Sequence, residues 1–446
     1  MAIISISDSQ INSADQVLVA DASSKIPAKD GSQITILNAT NVSSGTIATA
    51  RLDTGTTANK IVVLDGSGNL PVVDGSQLTG VVSATVSASD PTVSTNPSAG
   101  LGAEWNNSTS GEMYICTDAT AGANVWTNVG AGSGDVVPWV FQGSAYGYAH
   151  GGHGVTPDVR LDNIERFSFT SNGNAADVGN LTEAKDFTSG QSSTTHGYCS
   201  GGRLAEPPGG ETNRIEKYAF AASANATDVA DLTVSRKHLH GTGNATHGYA
   251  HAGYPPSSGI NVIDKFPYAS ATNASDHGDL ATAVYQPSEH SSTTYGYSTG
   301  GSDNSYAGVK NVIEKYAFAS NTTASDVGDL TSARYELSGT SSTTHGYVQG
   351  GMLGGAPKQN FIDRFSFSSD GNAADWADLS YTWAYMSGTS STTYGYCAGG
   401  YTSGGTPGPN SGYTNYIEQS PYATQTNASD VGDITTMRYA CSGTHY

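Results

Sequence analysis

Five pairs of aspartates recur in the C-terminal half of the chain, each pair three positions apart: Asp228 and Asp231, Asp276 and Asp279, Asp326 and Asp329, Asp375 and Asp378, Asp430 and Asp433. Paired carboxylates can share general acid and base work or hold calcium. Each pair, however, fills the same slot of a repeated phrase, and Asp is favoured in turns because it bonds its own backbone. A residue present in every repeat does not mark one reaction centre, so the pairs are expected to be turn residues. His196, His247 and His345 share another slot, which Tyr146, Tyr295 and Tyr394 fill elsewhere. A metal ligand does not survive that exchange, whereas a half-buried strand position does. Of the four cysteines, Cys199 and Cys397 both follow a Gly-Tyr pair, while Cys116 and Cys441 stand apart. Small buried thiols are expected rather than a disulfide framework. The chain has no glycine loop ending in Lys-Ser, no zinc-ligand spacing and no nucleophile elbow. No catalytic residue, metal or cofactor is therefore expected, and the chain reads as a non-enzyme.

What does vary is the segment after each of six near-identical Gly-rich phrases: "HGVTPDVRLDN", "RLAEPPGGETN", "YPPSSGIN", "SDNSYAGVKN", "MLGGAPKQN" and "YTSGGTPGPNSGYTN". Binding residues collect on loops carried by a rigid scaffold. Tyr and Arg suit that role, since both offer large contact area and hydrogen bonds at modest entropic cost. The receptor-binding candidates are His153, Arg160, Arg203, Tyr254, Tyr306, Lys358, Tyr401 and Tyr413.

The elements that must carry these loops follow from the repeat itself. The phrase "SSTTHGYVQGG" and its variants place a Tyr at 148, 198, 249, 297, 347 and 396, in steps of 50, 51, 48, 50 and 49. A period near 50 with several short strand signals per unit is a propeller signature. In each unit a Tyr-bearing strand ends in diglycine, where the chain must turn tightly. A strand such as "VIEKYAF" follows, with Ile expected on one face and the acid and aromatic on the other. A turn such as "DVGDLTSAR" comes next, and "YELSGTSS" then pairs back on the next "THGY". Four antiparallel strands per unit make one blade.

These residues resemble the kelch family of β-propellers. The diglycines Gly151–Gly152, Gly201–Gly202, Gly300–Gly301, Gly350–Gly351 and Gly399–Gly400 match its motif, as do triplets such as Glu216-Lys217-Tyr218 and Asp363-Arg364-Phe365. The family's Trp appears only as Trp376, with Val178, Val229, His277, Val327 and Val431 elsewhere. Its Arg appears as Arg236, Arg334 and Arg438, with Lys185, Val284 and Trp383 in the other units. The resemblance implies a divergent all-β fold, a six-bladed kelch-like β-propeller over residues 136–446. The first unit lacks the "SGTSSTT" lead-in and the chain ends on "MRYACSGTHY", so the last strand is expected to complete the first blade.

Residues 1–87 carry a different repeat: "VLVADASSKIPAKDGSQIT" matches "IVVLDGSGNLPVVDGSQLT" 44 positions later. These segments are thin in apolar residues and cannot bury a core alone. Phrases such as "DGSGNLPVVDGSQLTGV" resemble the stems of bacteriophage tail fibres and other virion appendages, which implies an intertwined homotrimer and a virion location. Residues 88–135 read as a small β module with strands near Glu112–Thr117 and Asn124–Val129, followed by the linker "GAGSGD".

Net charge is −20 and charged residues are 13% of the chain, about half the usual share. That balance argues against nucleic acid or an anionic membrane as partner. No apolar run reaches a membrane span, and "MAIISISDSQ" shows no secretory signal. The expected function is that of a phage tail-fibre protein. Its N-terminus would join other virion proteins, and its propeller tip would bind a host-surface glycan or protein. The alternatives are a purely structural virion component (a capsid decoration or a tail-hub spike) and, behind both, a secreted propeller hydrolase.

Overall fold

The computed structural model describes residues 84–130, 136, 138–155, 158–205, 209–303, 308–355, 357–403 and 412–446. The chain divides into two compact units, Met1–Ala84 and Thr85–Tyr446. The stem repeat lies outside the described residues, as do positions 131–135 of the linker and Tyr306. The second unit is all-β, with no helix among its described residues.

Its first part is a four-stranded sheet of Thr85–Ser87, Glu104–Asn107, Met113–Asp118 and Val125–Asn128. The sequence foretold only the last two strands, because the first two are only three and four residues long and the second has no β-branched residue. The parallel pairing of Thr85–Ser87 on Glu104–Asn107 is long-range and leaves no local signal. Trp105 and Trp126, 5.8 Å apart and edge-to-face, pack this sheet together with Tyr114 and Cys116.

Residues from Tyr146 onward form six antiparallel sheets of the repeat, five with four strands and one with five, besides two three-stranded ribbons. The second sheet serves as the pattern, with strands Ser189–Ser192, His196–Ser200, Arg214–Ala219 and Thr227–Asp231 side by side. In the first sheet the strand at the inner position is the C-terminal Ser442–His445, paired antiparallel with Tyr146–His150. The inner strands of successive sheets are neighbours, and Ser442–His445 neighbours those of both the second and the sixth sheet.

The Gly-Tyr phrase has two packing tasks. Each Tyr is at most 2% exposed. It reaches across to an aromatic of the following sheet: Tyr148 to Phe220, Tyr198 to Tyr268, Tyr249 to Phe318, Tyr297 to Phe367, Tyr347 to Tyr422 and Tyr396 to Phe169, with ring centroids 4.6–5.0 Å apart. In five of the six units the Gly before it leaves room for an aromatic of the neighbouring strand. A Cβ on Gly197 would meet the Tyr218 ring, and one on Gly248 the Phe266 ring. Repeating the phrase is therefore how one sheet-to-sheet junction is built six times.

A second circuit runs through the backbone. Phe187, His238, Gln286, Glu336, Tyr385 and Ala440 each stand just before an inner strand, all with φ between 53° and 62°. Each amide donates to the carbonyl of the equivalent residue one sheet back: His238 to Phe187, Gln286 to His238, Glu336 to Gln286, Tyr385 to Glu336, Ala440 to Tyr385, and Phe187 to Ala440, at 2.9–3.2 Å. Positive φ costs side-chain-bearing residues energy. The strain recurs at one slot in every sheet and is offset by a cyclic set of hydrogen bonds.

Two strand expectations need correction. The "DVGD" phrase is not a turn but the outer strand of its sheet, as in Ser325–Asp329. Its first Asp still serves the local backbone, with Asp326 Oδ1 accepting from the Gly328 amide at 3.1 Å. In "VIEKYAF" both faces are covered, since Ile313, Glu314 and Tyr316 are all buried. The acid faces inward because a buried partner awaits it in four of the six sheets.

Candidate binding face

Those inward acids form the framework on which the variable segments rest. Arg236 meets Asp264 at 2.8 Å, Lys185 meets Glu216 at 2.9 Å and Arg334 meets Asp363 at 2.5 Å, with every partner 0% exposed. Arg438 pairs in the same way with Glu165 of the first sheet. A neighbouring Thr adds backbone and hydroxyl bonds, as Thr233 does to Asp264. In the remaining two sheets the base is replaced by Val284 and Trp383. There, burial holds the Glu314 and Glu418 carboxyls above the usual carboxylate range. Each basic residue sits in the segment that leads into an inner strand, so the pairing fixes that segment against its own sheet.

Described parts of three of the segments after the diglycines form short strands. His153–Val155, Asp158–Arg160 and Arg438–Tyr439 form one three-stranded ribbon, and Lys185–Asp186, Arg203–Leu204 and Gly210–Glu211 form another. Tyr401–Ser403 extends the fifth sheet. The sequence treated these stretches as irregular because each strand is only two or three residues long. Their partners are the segments just before the inner strands, which are distant in sequence.

Around Asp186 three of the expected residues come together. Asp186 is fully buried and accepts from Arg203 Nε and Nη2 at 3.0 and 2.8 Å and from Arg160 Nε at 3.1 Å. His153 Nδ1 stands 3.3 Å from the same carboxylate, and its Nε2 stands 2.5 Å from Asp158 Oδ1. The Arg203 guanidinium lies over the Phe187 ring, 5.2 Å from its centroid.

A run of rings connects this cluster to the other candidates. His153 stacks on Tyr439 at 5.1 Å, Tyr439 contacts Tyr413 at 5.2 Å, and Tyr413 contacts Tyr401 at 4.8 Å. Lys358 Nζ stands 3.6 Å above the Tyr401 ring, and burial lowers its pKa. In the other direction Phe187 touches His238, His238 touches Tyr285, and Tyr285 touches Tyr254, at 3.8, 5.9 and 5.2 Å. Lys237 lies over Tyr254 and is bonded to Glu211 at 2.9 Å. Seven of the eight residues singled out in the sequence thus belong to one aromatic and cationic network. The eighth, Tyr306, lies outside the described residues.

Sequence reasoning missed the members that join them: Asp186, Phe187, His238, Tyr285, Tyr385 and Tyr439. A signal was present. They occupy the two positions ahead of the repeated inner-strand phrase, read as "KDFTSG", "RKHLHG", "VYQPSE", "WAYMSG" and "RYACSG". The second of those positions holds a different side chain in every unit and the first varies around a recurrent Tyr, while the phrase that follows stays nearly constant. The other slots behave as expected. His196, His247 and His345 are half-buried strand residues, although Tyr295 at the same slot is exposed. All four cysteines are buried and free.

No protein-family model and no curated protein matches the sequence.

Proposed function

We propose that residues 136–446 form a six-bladed kelch-like β-propeller at the tip of a bacteriophage tail fibre, and that its diglycine face binds a receptor on the host surface. The propeller reading is supported by the six sheets, the cyclic amide-to-carbonyl bonds and the pairing of Ser442–His445 with Tyr146–His150. The binding reading is carried by one observation: the variable side chains of successive units meet in a single network of rings and cations on one face. Stacked aromatic faces flanked by hydrogen-bonding cations suit a sugar, so a surface glycan is the favoured receptor class. The ribbons hold these groups in place before any ligand arrives, which lowers the ordering cost of binding. In a trimeric fibre, several weak tips add avidity of about 10²–10⁴. The stem would form that homotrimer and join the fibre to other virion proteins. In this reading the tip binds its receptor without chemistry on it.

The test is competition. Free full-length protein added to host cells should slow adsorption of the particle in proportion to its concentration, and antibody against the protein should label the tail. Labelling confined to the capsid, with no competition, would favour a structural virion role.

A further inference from the structure

We propose that the cluster around Asp186 is a subsite for the carboxylate of an acidic sugar, such as a uronate. The inference rests on the binding reading above and narrows its ligand. Asp186 is one carboxylate, fully buried, facing two guanidiniums that stay charged at any physiological pH. The trio itself carries one net positive charge, with Asp158 against His153 and Glu211 opposite Arg203 as the nearby acids. Elsewhere the buried bases pair one to one with acids, as Arg236 does with Asp264. One buried carboxylate shared by two guanidiniums is thus a local departure from the rule of the repeat.

The position of Asp186 is equally singular. The equivalent places in the other units hold Lys237, Tyr285, Tyr335, Ala384 and Tyr439. A buried acid here orients the guanidiniums. It occupies the Nε and Nη2 edge of Arg203 and the Nε of Arg160. Both side chains keep partial exposure, 31% for Arg203 and 15% for Arg160. Phe187 beneath Arg203 holds the plane of the fork. Two oriented guanidinium edges match a planar carboxylate by paired hydrogen bonds. Beside them, Tyr439 stacked on His153 gives a flat wall for the sugar ring.

The experiment uses the full-length protein and three polymers: polygalacturonate, the same polymer after its carboxyl groups are reduced to alcohols, and dextran sulfate. Polygalacturonate should bind, and carboxyl reduction should abolish binding. Arg203→Gln and Arg160→Gln should each weaken binding by about tenfold. Arg203→Lys should weaken it nearly as much, because an ammonium keeps the charge but loses the fork. Melting curves of the variants serve as the folding control. Equal binding of the reduced polymer overturns the proposal, and so do unchanged affinities in folded variants. Dextran sulfate binding as tightly as polygalacturonate, with Arg203→Lys behaving as wild type, would mean bulk charge attraction and also overturns it. If the wild type binds host cells yet ignores polygalacturonate, only this inference falls. If it binds neither, the receptor-binding reading falls with it.

Discussion

Glu418 and Asp363 stand at the same slot of their sheets yet face different partners. Asp363 has Arg334, whereas Glu418 faces the slot filled by Trp383 and accepts from the Ser380 amide, at 3.1 Å. Burial raises the Glu418 pKa above its ordinary 4.5. For an acid whose folded pKa lies above the unfolded one, stability is greatest at low pH and falls as pH rises through the interval between them. Glu418→Gln should therefore leave the melting temperature near that of wild type at pH 4.5 and raise it by roughly 2 °C at pH 7. Melting curves at the two pH values check this, and a gap that does not widen with pH would rule it out. The acid of the triplet and the Arg were both legible as motif positions in the sequence. Their pairing was not, because partners such as Arg438 and Glu165 lie at opposite ends of the repeat region.

At the scale of the element, the inner strands show what the repeat leaves implicit. Four of them carry Thr at one place, as Thr340 does in Ser338–Ser341, while Ser288–Ser291 carries His290. His290 is fully buried, with Nδ1 3.0 Å from the Thr340 carbonyl, and burial drops its pKa from 6.5 to about 4. Burial likewise puts His150 at about 3 and His445 at about 4. A base depressed in the fold contributes stability that is complete above pH 6.5 and is lost as pH falls toward 4. The loss runs opposite to that of the unpaired acids. His290→Thr should shallow the decline in melting temperature between pH 6.5 and 4. An unchanged slope would show that His290 does not titrate against folding. The strands bearing Gly-Tyr were readable because alternation and diglycine ends mark them. The two-residue ribbons and the "DVGD" edge strands were not, since pairing partners rather than local propensity decide them.

At the scale of the whole molecule, the last residues do more than end the chain. Ser442–His445 supplies the inner strand of the first sheet, Arg438 satisfies Glu165, and Ala440 completes the cyclic hydrogen bonds. Deleting residues 438–446 should leave Glu165 buried without its cation, a cost of about 3–5 kcal/mol before any strand loss. The melting temperature should fall by about 10 °C or more, with aggregation through two open sheet edges. An unchanged melting temperature would exclude this closing role. The pairing of the C-terminal strand with the first sheet was legible from the ends of the repeat. The network of rings and cations was legible only in part, because the diglycine segments announced themselves by variation, while the residues that join them were hidden beside the repeated inner-strand phrase.

For the proposed tail-fibre role, the most direct measurement is adsorption of particles carrying Lys358→Ala, Tyr401→Ala and Tyr413→Ala together in this chain. These side chains form one arm of the network and lie outside the buried ion pairs. The purified variant should melt within about 3 °C of wild type. The adsorption rate to host cells should fall at least about tenfold. Wild-type adsorption by a folded triple variant would contradict a receptor-binding face at the diglycine end.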